Sequence, residues 1–226
     1  MDNTHLTSNA SDDPHAGQPV LRMGPAPAAA RLITIAIHGR GASADDILGL
    51  IREIARAPEL SDVAVLAPEA AGQTWYPLSF LAPIERNEPW LTSALSTIER
   101  LVSALESQGI PSDRVGLLGF SQGACLALEF AARHPRRYAA VIGFSGGLIG
   151  PPGTPRTYTG SLAGTPVFLG CSDVDPHIPV ERVRESAAVL KQMGAAVDAR
   201  IYPRMAHTVN HEEMLVARGM LGPGSS

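Results

Sequence analysis

Short apolar runs alternate with helical periodicity along the middle of the chain. Continuous apolar segments such as residues 32–37 are typical of strands buried on both faces, and apolar residues three and four apart indicate amphipathic helices. The pattern predicts strands near 32–37, 63–67, 115–120, 140–144, 167–171 and 197–202, and helices over 44–56, 90–108, 122–134, 180–193 and 211–219. Residues 18–23 are predicted to add an edge strand. This alternation predicts an α/β fold, with a mostly parallel central sheet and helices on both of its faces.

The domain organisation follows from length and local composition. A chain of 226 residues with 45% hydrophobic content can bury one sizeable core, so a single domain is predicted over residues 18–221. Residues 1–17 are polar and contain too few apolar side chains to offset the entropy of ordering them. They are predicted to be a disordered tail, as are the Gly- and Ser-rich residues 222–226.

Charge, cysteine content and hydropathy exclude several classes of function. The formal net charge is −4 and no long basic run occurs, which argues against a nucleic-acid partner. Cys125 and Cys171 form neither a disulfide framework nor a zinc-binding pattern, so no metal site is expected. The amino terminus lacks the features of a signal peptide, and no apolar stretch approaches the roughly 18 residues of a membrane span. A cytoplasmic protein without membrane insertion is predicted.

Residues 119–123 read Gly-Phe-Ser-Gln-Gly and join a predicted strand to a predicted helix. A serine at such a sharp turn needs small neighbours, which Gly119 and Gly123 supply. The first free N–H groups of the following helix point toward the same place, where an oxyanion can form. Short Gly-x-Ser-x-Gly segments also occur by chance in loops, but the strand and helix on either side favour a nucleophile elbow. Ser121 is therefore predicted to be the nucleophile of an acyl-transfer reaction.

A serine hydroxyl needs a base, and the base needs an acid that orients it. After a nucleophile elbow the expected chain order is serine, acid, histidine, with each residue following a later strand. Asp173 and Asp175 both lie in the loop after one predicted strand, and His207 follows the next strand. The residues thus predict a catalytic set of Ser121, His207 and either Asp173 or Asp175.

The other histidines have simpler explanations. His177 is the one serious rival to His207, but it lies beside the acids and not one strand later. The remaining histidines are assigned to the tail, to a helix end and to the first turn of the last helix: His5, His15, His134 and His211.

The turn after the first strong strand supplies the remaining catalytic element. Residues 38–41 read His-Gly-Arg-Gly, and such a turn can present a backbone N–H to a developing oxyanion. We expect the N–H groups of Arg40 and Gln122 to form the oxyanion hole. The alternative is a phosphate-binding turn, but the segment has neither the Gly-x-Gly-x-x-Gly pattern nor a Walker lysine, which disfavours a nucleotide cofactor.

The connection at residues 68–89 is long, irregular and rich in large apolar side chains. It carries Trp75, Tyr76, Phe80 and Leu81, and it follows the carboxyl end of a predicted strand, where ligands bind in open α/β sheets. We therefore predict that these four residues wall the substrate pocket.

Four segments together resemble the phospholipase/carboxylesterase family of α/β-hydrolases, which includes the acyl-protein thioesterases. They are His38-Gly39-Arg40-Gly41, Gly119-Phe120-Ser121-Gln122-Gly123, Asp175-Pro176-His177-Ile178-Pro179 and Met205-Ala206-His207. The resemblance spans about residues 30–218 and implies an α/β-hydrolase fold. It also implies a cofactor-free esterase that is broad toward small esters and frequently a homodimer. The aspartate before proline is the acid in this family, so the resemblance selects Asp175.

The chain departs from the family members that deacylate proteins. Those members carry His-Gly-Leu-Gly-Asp near the first strand, whereas this chain has Arg40 followed by Gly-Ala-Ser. The expected function is a serine carboxylesterase acting on short-chain or aryl esters through an acyl-enzyme. Three alternatives remain: an acyl-protein thioesterase or lysophospholipase, a dienelactone hydrolase-like enzyme, whose nucleophile would be cysteine, and a binding module that had lost a catalytic residue.

Overall fold

A seven-stranded sheet forms the centre of the molecule, which is described here from a computed structural model covering residues 13–55 and 60–223. The strands are β1 (Val20–Met23), β2 (Leu32–Ile37), β3 (Val63–Pro68), β4 (Val115–Phe120), β5 (Ala140–Phe144), β6 (Pro166–Ser172) and β7 (Ala196–Tyr202). Their order across the sheet is β1-β3-β2-β4-β5-β6-β7. All neighbouring pairs are parallel except β1 with β3. The carboxyl ends of six strands therefore meet at one edge, where loops can build a site.

Helices cover both faces of the sheet. They are α1 (Ala44–Ile54), α2 (Trp90–Ser107), α3 (Gln122–Arg133), α4 (Val180–Gln192) and α5 (His211–Leu221). One apolar core packs α2, α3 and α4 against the sheet, and a second packs α1 and α5 against the other face. Strands β2 and β3 are buried along their whole length because they lie between the two layers. Within the described residues, no helix is long and apolar enough to cross a membrane.

This architecture confirms the predicted α/β-hydrolase fold, and the predicted strands and helices all occur. The edge strand expected within residues 18–23 is β1, which pairs antiparallel with β3. The first helix was predicted to reach residue 56 but ends at Ile54, and residue 56 lies outside the described residues. Much of both predicted tails, residues 1–12 and 224–226, also lies outside them.

Residues 13–17 differ from the predicted disordered tail because His15 anchors them to the domain. The His15 side chain is buried, and its backbone N–H donates to Ser93 Oγ at 2.9 Å. Its ring satisfies two backbone groups, with Nε2 3.0 Å from the Trp75 carbonyl oxygen and Nδ1 accepting from the Ala71 N–H at 3.1 Å. Polar composition predicted disorder, but these bonds and the ion pair of Asp13 with Arg100 at 2.8 Å attach the segment to the domain.

The turn between β4 and α3 lies unusually close to neighbouring backbone. A methyl group on Gly123 would lie 2.1 Å from the Ile37 carbonyl oxygen, and one on Gly119 would lie 2.2 Å from the Gly123 carbonyl oxygen. No side chain larger than hydrogen fits at either position without moving backbone. These two glycines therefore bring the first turn of α3 against the carboxyl end of β2.

A buried carboxyl group lies at the start of α5. Glu213 forms a reciprocal cap with Asn210: its Oε2 accepts the Asn210 N–H at 2.8 Å, and its own N–H donates to Asn210 Oδ1 at 2.9 Å. A methyl group on Gly170 would lie 2.1 Å from Glu213 Oε1, and this oxygen has no hydrogen-bond partner in the described part of the chain. Burial raises the pKa of Glu213 to about 7.

The raised pKa makes stability depend on pH. The folded state prefers the neutral acid, so wild-type stability is lost as the pH rises from about 4.5 through about 7. Glu213→Gln keeps an acceptor for the Asn210 N–H but cannot ionise. We therefore expect its free energy of unfolding to increase, relative to that of the wild type, when the pH is raised from 5 to 8.5. The gain is about 2–3 kcal/mol, measured by urea unfolding at the two pH values.

Glu212→Gln is the matched control for this experiment. Glu212 is the exposed neighbour of Glu213 and pairs with Arg200 at 2.6 Å. Its substitution should change stability by less than about 1 kcal/mol, with little difference between the two pH values. A Glu213→Gln stability difference that is the same at pH 5 and pH 8.5 would show that the wild-type carboxyl does not titrate in this range.

The close approach at the β4–α3 turn gives a second prediction. Gly123→Ala should destabilise the protein by several kcal/mol, because the added methyl group meets the backbone carbonyl of Ile37 and not a flexible side chain. Gly49 is the control, since it lies inside α1 and a methyl group there meets no atom within 4 Å. Gly49→Ala should stabilise by up to about 1 kcal/mol. Thermal unfolding of both variants tests the pair, and equal melting temperatures would refute the packing argument.

Candidate active site

Ser121 lies at the turn between β4 and α3 in a strained backbone conformation. Its φ is 55° and its ψ is −118°, a combination that non-glycine residues rarely adopt. The Ser121 N–H donates to the Phe144 carbonyl oxygen at 2.9 Å, which ties the turn to the end of the neighbouring strand β5. The turn thus projects the hydroxyl out of the sheet edge into a cavity that Ser121 lines.

The structure brings Ser121, His207 and Asp175 into one hydrogen-bonded chain. His207 Nε2 lies 2.9 Å from Ser121 Oγ, and His207 Nδ1 lies 2.7 Å from Asp175 Oδ2. A carboxylate accepts hydrogen bonds only, which assigns the imidazole proton to Nδ1 and leaves Nε2 free to accept from the serine hydroxyl. This is the geometry in which an imidazole can remove the proton of a serine.

The Asp175 carboxylate is buried yet well supplied with hydrogen bonds. Its other oxygen accepts the backbone N–H groups of His177 at 2.9 Å and of Ile178 at 3.0 Å. Burial favours the neutral acid, but the bonds from His207 and from these two N–H groups outweigh it and lower the pKa of Asp175. The group is therefore ionised at neutral pH and can stabilise a positive charge on His207.

The two other candidates in this region have different surroundings. Asp173 accepts the Arg204 N–H at 2.7 Å and so holds the loop that carries His207, without contacting the His207 ring. The ring of His177 meets the ring of His207 edge-on, with centroids 4.9 Å apart, and it lines the cavity. Of the two carboxylates left open by the chain order, Asp175 is the one hydrogen-bonded to His207.

Arg40 and Gln122 both line the cavity beside Ser121. Gln122 is the first residue of α3, so its N–H has no acceptor within the helix. The turn carrying Arg40 is fixed by His38, whose Nε2 accepts the Ala70 N–H at 3.1 Å and whose Nδ1 donates to the Gly39 carbonyl oxygen at 2.7 Å. Burial lowers the pKa of His38, which keeps this acceptor role available. The turn that carries Arg40 is thus held in place beside the serine.

The cavity has a volume of about 410 Å³. Its lining residues are Gly39, Arg40, Ala42, Tyr76, Pro77, Leu78, Ser79, Phe80, Phe120, Ser121, Gln122, Cys125, His177, Ile178 and His207. Of the four predicted pocket residues, Tyr76 and Phe80 line it and two do not. Trp75 differs from the prediction: its side chain is fully buried and does not line the cavity, and its indole N–H donates to the His38 carbonyl oxygen at 2.9 Å. Leu81 packs, half-buried, against the core under α2 and α3.

Two residues that shape the site, Asn87 and Cys125, were missed by reasoning from the sequence. Asn87 is buried and bonds to the irregular connection that follows β3. It accepts the Leu78 N–H at 2.8 Å and donates to the Ser79 carbonyl oxygen at 3.1 Å. Cys125 lines the cavity one turn along α3 from the serine. The Cys125 spacing relative to Ser121 could have indicated a pocket residue, because side chains four apart share a helix face. Nothing in the local sequence singled out Asn87.

Comparison with known proteins identifies the family of this chain. A family model described as phospholipase/carboxylesterase matches residues 25–221. A phospholipase/carboxylesterase from Dyadobacter fermentans, of known crystal structure, is 39% identical with a TM-score of 0.84, and the match covers 90% of this chain and 96% of that one. Acyl-protein thioesterase 1 of Yarrowia lipolytica is 24% identical over 211 residues, which cover 87% of this chain and 92% of that protein.

A more distant similarity concerns the fold alone. The crystal structure of a carboxylesterase from Bacillus cereus superposes with a TM-score of 0.69 at 17% identity, covering 91% of this chain and 94% of that one. The family model spans nearly all of the sheet and its helices, and the similar proteins are ester and thioester hydrolases. The chain therefore belongs to the phospholipase/carboxylesterase family, and it is an enzyme of the ester-hydrolase class.

Proposed function

We propose that this protein is a serine carboxylesterase that hydrolyses short-chain or aryl carboxylic esters through a Ser121-His207-Asp175 triad. The observation that carries the proposal is the continuous chain of short hydrogen bonds, 2.9 Å from serine to imidazole and 2.7 Å from imidazole to carboxylate, at a strained turn facing a cavity. Such strain is maintained where function depends on the position of a side chain. Membership of an ester-hydrolase family supports the same chemistry.

The reaction runs in two halves. In the first, Ser121 Oγ attacks the ester carbonyl carbon as its proton passes to His207 Nε2, and the carbonyl oxygen gains the negative charge. The N–H groups of Arg40 and Gln122 donate to this oxyanion. When the intermediate collapses, the C–O bond to the alcohol breaks and His207 returns the proton to the departing alcohol oxygen.

The second half removes the acyl group from Ser121. A water molecule gives a proton to His207 Nε2 and attacks the acyl carbon through the same oxyanion-stabilised geometry. Collapse releases the carboxylic acid and returns the proton to Ser121. In both halves the ionised Asp175 carboxylate holds His207 in the productive tautomer and stabilises the transient imidazolium.

Tight packing behind the cavity lining favours small acyl groups over long ones. Cys125 belongs to that lining, and its Sγ accepts the Gly147 N–H at 3.5 Å. Next to it, Gly146 packs so tightly on α3 that a methyl group there would lie 2.5 Å from the Ala124 Cβ atom. We expect this tight packing to leave little space for a long acyl chain between α3 and this segment. A volume of about 410 Å³ is also at the low end of the range of about 300–1,000 Å³ for small-molecule sites.

An acyl-protein thioesterase is the second candidate, because curated relatives carry that name. Ser121 would attack a thioester as it attacks an ester. The esterase and the thioesterase candidates therefore differ only in the acyl chain and the leaving group that the cavity accepts. A dienelactone hydrolase-like reaction is disfavoured, since serine occupies the nucleophile position.

Substitution of the nucleophile tests the proposed chemistry. We expect Ser121→Ala to lower hydrolysis of p-nitrophenyl acetate by at least about 10⁴-fold while keeping the wild-type thermal unfolding temperature, because only the attacking oxygen is removed. An alkyl phosphonate should label the wild-type enzyme on Ser121, as peptide mass spectrometry can show. Substantial activity in Ser121→Ala would refute the mechanism.

A matched aspartate pair serves as the control for the same assay. Asp175→Asn should lose about 10⁴-fold in kcat, since the imidazole loses both its orientation and its counter-charge. Asp173→Asn removes a carboxylate two residues away that bonds only the Arg204 N–H in the described contacts, and it should lose less than about tenfold. The opposite ranking would transfer the role of the acid to Asp173.

The cavity shape predicts the acyl-length profile. Wild-type activity on p-nitrophenyl esters should be highest from acetyl to hexanoyl and should decline gradually, because an apolar pocket discriminates by only about 1–3 kcal/mol per methylene. Phe80→Ala removes a lining side chain and enlarges the cavity, so it should move the optimum of activity to longer acyl chains. Leu81→Ala is the control, since Leu81 does not line the cavity, and should keep the wild-type profile. A palmitoyl optimum in the wild type, or an unchanged profile in Phe80→Ala, would contradict the pocket assignment.

A further inference from the structure

The wall segment, residues 74–78, is irregular backbone to which several side chains bond, and Arg40 is one of them. Arg40 donates to three successive carbonyl oxygens of this segment, those of Tyr76 at 2.9 Å, Pro77 at 2.8 Å and Leu78 at 2.6 Å. Its guanidinium carbon also lies 5.9 Å from the centre of the Tyr76 ring. Only the planar fork of an arginine offers so many donors in a fixed geometry. Arg40 is therefore the principal anchor of this wall on the side of the β2–α1 turn.

Gln122, at the start of α3, also bonds to the wall segment. Its Oε1 accepts the Trp75 N–H at 2.9 Å, and its Nε2 donates to the Tyr76 carbonyl oxygen at 2.8 Å. The Tyr76 carbonyl oxygen thus accepts from both Arg40 and Gln122, and Thr74 Oγ1 adds a third bond at 2.9 Å. The Tyr76 carbonyl oxygen therefore links the β2–α1 turn, which carries Arg40, to the start of α3, which carries Gln122.

We propose that the Arg40 side chain is a positioning residue that sets the oxyanion hole through the wall segment. The inference rests on the proposed function, in which the backbone N–H groups of Arg40 and Gln122 receive the oxyanion. The two N–H groups belong to separate turns, and the Tyr76 carbonyl oxygen is the shared contact of both side chains. Fixing the wall fixes the distance between the two donors.

The local backbone explains why this anchor is needed. Arg40 lies between Gly39 and Gly41, and Gly41 has a φ of +73° in the left-handed region. Glycine loses more conformational entropy on ordering than any other residue, so a turn with two glycines needs outside contacts to hold one shape. One such contact is the hydrogen bond from the Gly41 N–H to the Gln73 carbonyl oxygen at 2.8 Å. Gln73 immediately precedes the wall segment.

The expected kinetic signature separates positioning from substrate binding. The oxyanion exists in the transition states of both acylation and deacylation, so a displaced donor lowers kcat whichever half limits the rate. Loss of one oxyanion donor typically costs about 10²–10³-fold, and a displacement of about 1 Å can cost about 10²-fold. KM should change little, because the ground-state ester does not carry this charge.

The experiment compares Arg40→Met, Arg40→Lys and Arg114→Met in the full chain with p-nitrophenyl acetate. Arg114 is the matched control, since it also clamps backbone carbonyls, those of Arg31 at 3.1 Å and of Ala30, at the opposite end of β2. We expect Arg40→Met to lower kcat by about 30–100-fold with KM within threefold of wild type. Arg40→Lys keeps a charged donor and should recover part of kcat. Arg114→Met should keep kcat within twofold.

A transition-state analogue provides an independent readout. Phenylboronic acid adds to a catalytic serine as a tetrahedral species with an oxygen in the oxyanion position, so its inhibition constant should rise in Arg40→Met in parallel with the loss of kcat/KM. A kcat of Arg40→Met within threefold of wild type, a rise in KM in place of a fall in kcat, or an unchanged boronic-acid inhibition constant would each overturn the proposal. Activity remaining in Ser121→Ala would instead overturn the proposed function, so the two failures are distinguishable.

Discussion

The packing of the β4–α3 turn against the carboxyl end of β2 is the constraint on which the site depends. Gly119 and Gly123 leave no room for a methyl group, since the nearest backbone oxygens would lie 2.2 and 2.1 Å away. This contact forces Ser121 into a left-handed conformation and points its hydroxyl away from the sheet. The same contact brings the first N–H of α3 next to the turn that follows β2. The proposed nucleophile and both proposed oxyanion donors thus share one close backbone contact.

A second requirement is the pairing of backbone polar groups in the irregular stretch after β3. No ladder or helix pairs most of these groups, so side chains from distant parts of the chain do so. His15 and His38 accept the N–H groups of Ala71 and Ala70, and their rings lie 5.2 and 5.0 Å from the ring of Trp75. Burial lowers the pKa of both histidines, and only a neutral imidazole can accept. Side chains from distant parts of the chain thus hold the backbone of this stretch in place.

These two arrangements meet at the proposed oxyanion hole. Arg40 and Gln122 each line the cavity beside Ser121 and have a side chain that binds the wall segment. The electrostatic environment complements this geometry, because the hydrogen bond from His207 and two backbone N–H groups keep Asp175 ionised despite its burial. Shape and charge at the site thus come from backbone groups held by side chains, with few charged groups facing the cavity itself. Such preorganisation limits reorganisation when charge develops during the reaction.

The local sequence determined the elements and the chain order of the chemistry, whereas the tertiary structure decided the pairings. Buried apolar runs such as residues 32–37 and the Gly-Phe-Ser-Gln-Gly turn are local patterns, so strands, helices and the elbow at Ser121 could be predicted. The contact of Asp175 with His207, with Asp173 bonded elsewhere, depends on a loop conformation that spacing alone left open. The structure also buries the side chains of Trp75 and His15, which the local sequence did not predict, for the same reason. Burial and hydrogen-bond partners are set by residues distant in the chain, and no local pattern encodes them.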